Sequence, residues 1–154
     1  MPLITLQTLI KADIHTCFDV SRDIDFHQES LKHSNERAIA GRTCGLIELG
    51  ESVTWEAKHF GITQRLTSKI TEFNRPYYFV DEMVSGAFES FKHEHIFEKT
   101  QDGTLMIDKF HFKSPYGLLG EFVNILFLKR YVASLLTIRN KALKQAAESK
   151  IILK

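Results

Sequence analysis

Cysteine is scarce. Cys17 and Cys44 are the only two in 154 residues, too few for a disulfide framework, and neither belongs to a Cys-x-x-Cys pair. A reducing compartment, the cytoplasm, is therefore expected. An excess of one charge is missing as well, since 20 Lys+Arg stand against 19 Asp+Glu for a formal net charge of +1. The basic residues are interspersed with acidic ones and form no stripe with interleaved aromatics, which argues against nucleic acid as a partner. No run approaches the ~18 apolar residues of a membrane span, and Met1-Pro2-Leu3-Ile4-Thr5 carries no basic region of a secretory signal. Repeats, linkers and shifts of composition are absent, so residues 1–154 read as one unit.

What is present is a 44% hydrophobic, 25% charged composition, with 12 phenylalanines as its unusual entry. Disorder is excluded on that balance. A chain of this length buries about 68–70% of its unfolded surface, enough for a full core or a sizeable internal pocket.

Leu3, Ile4, Leu6, Leu9 and Ile10 with interposed Thr predict a first strand. Asp13 can cap a helix, and Phe18, Val20, Ile24 and Leu31 continue at helical spacing, with Ser21 and Asp23 dividing the stretch into two short helices. From Glu36 the period changes to two. Strands are expected near 36–41, 51–60, 62–73, 77–86, 90–99 and 103–113, punctuated by Gly61, Asn74-Arg75-Pro76, Gly86 and Asp102-Gly103. After Pro115-Tyr116-Gly117 the pattern turns helical to about Glu148, with Leu119, Val123, Leu126, Arg130, Ala133 and Thr137 on one track and Leu135, Ile138 and Ala142 on the next. The expected fold is α+β: a curved seven-stranded antiparallel sheet gripping a long C-terminal helix, with two short helices after strand 1.

Several stretches carry a family resemblance. Gly50-Glu51-Ser52-Val53-Thr54-Trp55, Phe79-Val80-Asp81-Glu82-Met83 running into Ser85-Gly86-Ala87-Phe88, His93-Glu94-His95-Ile96-Phe97-Glu98, and Asp108 followed by Pro115-Tyr116-Gly117 resemble the SRPBCC superfamily. That superfamily includes START lipid-transfer domains, the birch-pollen allergen family and polyketide cyclases, and the likeness is to a bacterial branch of ligand-binding members. The resemblance spans nearly the whole chain and implies a helix-grip (START-like) fold with a cavity between sheet and long helix. Ala87 and Phe91 depart from it, where relatives tend to show Pro and Trp.

Strand parity identifies the residues facing that cavity. In strand 90–99, Phe91, His93, His95 and Phe97 share one face and Lys92, Glu94, Ile96 and Glu98 the other. A two-residue turn to the next strand, at Gln101-Asp102 or Asp102-Gly103, puts Met106, Asp108, Phe110 and Phe112 on the same interior face. The first turn sets His95 opposite Asp108, the second makes them diagonal neighbours, and a three-residue turn would send Asp108 outward. Trp55 and His59 join the interior by parity with Val53 and Ala57. Strand 77–86 is ambiguous from its residues, and the family resemblance favours Phe79, Asp81 and Met83 inward. The expected ligand-binding set is Trp55, His59, Phe79, Asp81, Met83, Phe88, Phe91, His93, His95, Phe97, Asp108, Phe110 and Phe112, with Leu119 and Val123 from the helix.

Ionisable groups on an aromatic wall must pair internally or stay wet. His59, His93, His95, Asp81 and Asp108 could form a supporting hydrogen-bond network, orient a guest, or perform acid–base chemistry, with His95, His93, Asp108 and Asp81 as catalytic candidates. His93, His95 and His59 have a spacing that permits three-His metal ligation, but nothing in it is diagnostic, and neither a metal nor a cofactor is expected. Asp108 is expected to hold the His95 pKa up while burial lowers that of His93. His15, His27 and His33 read as solvent-facing, and Cys17 and Cys44 as packing residues. Leu119, Phe122, Val123, Leu126, Phe127 and Leu128 form a broad apolar surface, either core, cavity mouth, or a patch for a homodimer or membrane contact. Gly117 and Gly120 with Phe88 suggest a lid. The function expected is binding of a small hydrophobic molecule such as a lipid, isoprenoid or polycyclic aromatic. The alternative is an enzyme of cyclase, dehydratase or hydrolase type working in the same cavity.

Overall fold

A computed structural model of the chain describes the backbone of residues 3–113 and 118–152 and the side chains of residues 3–113 and 126–149. Strand β1 (Leu3–Ile10) leads into helices α1 (Ile14–Ser21) and α2 (Ile24–Ser30). Asp13 caps α1 by accepting from the backbone of His15 and Thr16 at 2.9 and 3.1 Å, and Asp23 caps α2 through the amides of Asp25 and Phe26. A 3-10 turn, Lys32–Ser34, follows. The meander then runs through β2 (Arg37–Gly41), β3 (Ser52–His59), β4 (Ile62–Asn74), β5 (Tyr78–Ser85), β6 (Ser90–Thr100) and β7 (Gly103–Lys113) to helix α3 (Leu118–Ile152).

All pairings are antiparallel, and the sheet order is β1-β7-β6-β5-β4-β3-β2. Register breaks between Ala38 and Ala40, Thr67 and Ser68, and Ile70 and Glu72 bend the β2–β5 side of the sheet. The curvature leaves space beneath α3, whose 35 residues reach about 52 Å. At the seam of β1 and β7, Gly103 has φ 153° and a Cβ there would lie 2.1 Å from the Ile10 carbonyl oxygen, so only glycine permits the approach.

Two apolar clusters form the interior. One gathers Phe18 of α1 against Phe73, Phe79 and Phe97, with Ile10, Met106, Leu143 and Ala147. The other joins Ile4, Phe91, Phe110 and Phe112 to Val132 and Leu136. Among the described side chains of α3 the buried positions are Val132, Leu136, Arg139, Asn140, Leu143 and Ala147, a stripe at three- and four-residue spacing. Of the tracks expected from the sequence, Ala133 packs against the second cluster and Leu135 lines the cavity, while Leu126, Arg130, Thr137 and Ile138 are exposed. Cys17 packs in the first cluster, where burial pushes its thiol pKa up to about 11. Cys44, expected to pack, is exposed.

Candidate functional site

Thr100 pairs with Gly103, so the β6–β7 turn is the two residues Gln101-Asp102. That turn sets His95 opposite Asp108 and His93 opposite Phe110, while β5 brings Asp81 opposite His93 and Phe79 opposite His95. Side chains of alternate residues rise from one face, and four ionisable groups meet there.

Their hydrogen bonds run diagonally across the strands. His93 Nε2 lies 2.8 Å from Asp108 Oδ1, and His95 Nε2 lies 2.7 Å from Asp81 Oδ2. Each imidazole thus has its own carboxylate. The two rings lie against each other with centroids 3.7 Å apart and planes tilted by 32°; Phe79 stacks on His95 at 4.1 Å, and Phe110 meets His93 edge-on at 5.2 Å. Behind this stack, Asn140 Nδ2 donates to Asp108 Oδ2 at 2.7 Å, and Arg139 Nη1 stands 3.6 Å from Asp108 Oδ1. Arg139 also donates to Asn140 Oδ1 and to the Ser21 carbonyl and hydroxyl, joining α3 to α1. His95 Nδ1 is buried without a hydrogen-bond partner and faces Asp108 Oδ1 at 3.5 Å.

Burial, reinforced by the adjacent His93, pushes the His95 pKa down to about 4. This reverses the expectation that Asp108 would hold it up. The hydrogen-bonding carboxylate is Asp81, and removing a fully enclosed ring from water outweighs its pull. Burial alone would raise Asp81 and Asp108. The His95 bond to Asp81 and the His93 bond to Asp108, together with the attraction of both imidazoles and of Arg139, outweigh it and hold both carboxyls below the usual range. At neutral pH the site therefore presents ionised carboxylates beside an uncharged His95.

A cavity of about 530 Å³ opens from this cluster toward the β3–β4 hairpin. Its wall includes Trp55, His59, Phe79, Asp81, Phe88, Phe91, His93, His95 and Phe110 of the expected set, together with Leu66, Ile70, Leu128, Leu136 and Arg139. Phe97, Asp108, Phe112 and Met83 stand outside the wall. Phe97 is covered by Phe18, Phe112 sits within the second apolar cluster with Met83 packed against that cluster, and Asp108 is screened by His93 and Asn140. Leu119 and Val123, like the expected lid glycines Gly117 and Gly120, fall outside the residues described at side-chain level. Phe88 packs on Phe91, Phe110 and Phe112.

The open end is built differently. Phe60 and Gly61 both have positive φ, 54° and 76°, in the two-residue β3–β4 turn. Phe60 is thrown outward over Tyr131 and Phe127, with ring centroids at 4.6 and 5.3 Å. Tyr131 Oη shares a 2.5 Å hydrogen bond with His59 Nδ1, and burial lowers the His59 pKa below its ordinary value. His27, expected to face solvent, instead lies on Trp55 at 4.2 Å and bonds Glu36 Oε1 at 2.7 Å. The short α2 turns it inward over the sheet. His59 stands apart from the other two histidines, and the group whose donor atoms lie close enough to share an ion, among the described residues, is Asp81, His93 and His95.

Arg139, Asn140, Tyr131, His27 and Glu36 escaped the sequence reading. The first two had a usable signal, since they fall on the three- and four-residue spacing of Leu136, Leu143 and Ala147.

Neither the family models nor the curated proteins give a match to this chain. Solved structures do. The protein TTHA0849 from Thermus thermophilus superposes with a TM-score of 0.72 at 17% identity over 95% of this chain and 99% of that one. The di-domain ARO/CYC StfQ from the steffimycin biosynthetic pathway gives 0.77 at 12% identity, over 97% of this chain and 51% of that protein. Major latex-like protein 151 from Panax ginseng gives 0.66 at 13% identity over 95% and 97% of the two chains. At such identities the likeness shows architecture alone, and the architecture is the helix-grip fold of SRPBCC and START-like proteins.

Proposed function

We propose that this chain binds a small hydrophobic molecule, a lipid, isoprenoid or polycyclic aromatic, between the sheet and α3. The observation that carries the reading is the cavity of about 530 Å³ walled by Trp55, Leu66, Phe79, Phe91 and Phe110 with a few convergent polar groups at one end. Sites for small molecules commonly occupy about 300–1,000 Å³ with that division of labour. Asp81, His93 and His95 would orient a polar group of the guest. Native mass spectrometry of gently purified protein, with thermal shifts on a lipid and aromatic panel, tests it. A co-purifying guest or saturable stabilisation is expected, and silence across the panel would sink the reading.

A second reading has its own support. Carboxylate-held imidazoles on a cavity wall suit acid–base chemistry, and one structural neighbour is named as an ARO/CYC protein. An enzyme would lose turnover in His95→Ala while keeping guest affinity within a few-fold, whereas a pure binder would lose affinity alone. No helix of the described residues is long and apolar enough to cross a membrane. The two free thiols favour a reducing compartment, the cytoplasm. A homodimer covering exposed Leu126 and Phe127 would show as twice the chain mass in light scattering.

A further inference from the structure

We infer that Asp81, His93 and His95 form a binding site for one divalent first-row transition-metal ion, with Zn²⁺ as the matching case, at the buried end of the cavity. The inference stands apart from the binding of an apolar guest. Asp81 and His93 are direct partners across β5 and β6, His95 follows two residues later on the same face, and one donor atom from each lies within 4.8 Å of the others. An ion bonded at about 2.0–2.2 Å requires the 2.7 Å His95–Asp81 contact to open a little and the wider gaps to close, which small rotations of the side chains supply. Two nitrogens and one carboxylate oxygen favour Zn²⁺, Co²⁺ or Ni²⁺ over Mg²⁺ or Ca²⁺, which take oxygen.

The surroundings fit an ion more closely than they fit its absence. A metal-ligating histidine usually gives its other ring nitrogen to a carboxylate. Asp108 occupies that position for both rings, 2.8 Å from His93 Nε2 and 3.5 Å from His95 Nδ1, and is itself fixed by Asn140. His93 Nδ1 and His95 Nε2 remain to face the ion.

The orphaned nitrogen points the same way. A carboxylate at Asp81 accepts the proton of His95 Nε2, and His95 Nδ1 lies buried without a hydrogen-bond partner, 3.5 Å from Asp108 Oδ1. An ion between Nε2 and Asp81 would move that proton to Nδ1, which could then donate to Asp108. The ring keeps one proton throughout, and the unmet acceptor disappears. Charge agrees, since Asp81 and Asp108 outnumber Arg139. The wall position of all three ligands leaves the remaining coordination positions open to the cavity, where a guest oxygen or water could complete them.

The test uses full-length protein stripped with a chelator, titrated with Zn²⁺ by calorimetry and with Co²⁺ by visible absorption. One ion per chain is expected, with ligand-field bands for Co²⁺ and no uptake of Mg²⁺. Asp81→Asn should weaken binding by more than about 100-fold and Asp108→Asn by about 10–100-fold, while His15→Gln and His33→Gln leave it unchanged. Should a variant fail to fold, imidazole ¹⁵N–¹H spectra of the wild type serve instead. Zn²⁺ should shift the nitrogens of His93 and His95 and leave those of His59 in place. Absence of saturable uptake, binding that survives Asp81→Asn undiminished, or shifts confined to other histidines would each overturn the inference.

Discussion

At the buried end of the cavity two histidines share a face of β6, each tied to its own carboxylate and backed by Asp108, Asn140 and Arg139. At the open end His27 and His59 also make short hydrogen bonds, to Glu36 and Tyr131, but their side chains are only partly enclosed and within reach of water. The residue type is the same and the geometry nearly so. What differs is the cost of leaving a partner unmet, which rises steeply as water is excluded. The buried end is therefore a coupled unit in which no member can be removed alone, whereas the open end is a set of separable contacts.

Removing the hub of the buried end should have the largest effect. Asp108→Ala leaves His93 and Asn140 without their common hydrogen-bond partner and Arg139 without its carboxylate, and should cost about 3–5 kcal/mol in urea unfolding, as expected for breaking a buried charge network. A bulky residue at Ala57, which lines the cavity, should separate the two ends functionally. Ala57→Phe projects a ring into the cavity and should lower affinity for any guest found by the panel by about tenfold or more, roughly 1.4 kcal/mol, measured by calorimetry.

The open end should tolerate loss. Tyr131→Phe removes the bond to His59 and should cost only about 0.5–1.5 kcal/mol, with the His93 and His95 ring resonances unmoved. A change there as large as in Asp108→Ala would erase the contrast.

The smallest effect is a pH dependence at the mouth. Burial holds His59 below its ordinary value of 6.5, so the unfolded chain takes up its proton first as pH falls. The stability due to the neutral ring is complete above that value and is lost as pH drops through it toward the folded pKa. Thermal unfolding followed from about pH 7 to about pH 5, the range that brackets an ordinary histidine, should fall more steeply for wild type than for His59→Gln.

The sheet was legible because its signals repeat. Alternation from Phe91 to Phe97 and the Gly and Pro punctuation located the strands to within a residue or two, and parity combined with a two-residue β6–β7 turn brought His93, His95 and Asp108 to one face. The pairing within that face was not legible. Register sets Cα atoms opposite, and so suggests His95 with Asp108, while the imidazole reach favours the diagonal partner. Arg139 and Asn140 were overlooked for a different reason: beside Lys141 and Lys144 they look like a solvent-facing polar stretch, although they share the spacing of buried Leu136, Leu143 and Ala147. His27 was misjudged because a seven-residue helix shows too little periodicity to reveal its inner face.

The sheet order also has a consequence for how the protein is made. Strand β1 has one neighbour, β7, and pairs with it from Leu3↔His111 to Ile10↔Thr104. During synthesis at about 5–20 residues per second, β1 stays unpaired for on the order of ten seconds while β7, about a hundred residues later, is still being translated. Its alternating pattern of exposed and buried residues leaves an open edge for that interval, and a strand translated ahead of the whole meander is among the last to reach its place.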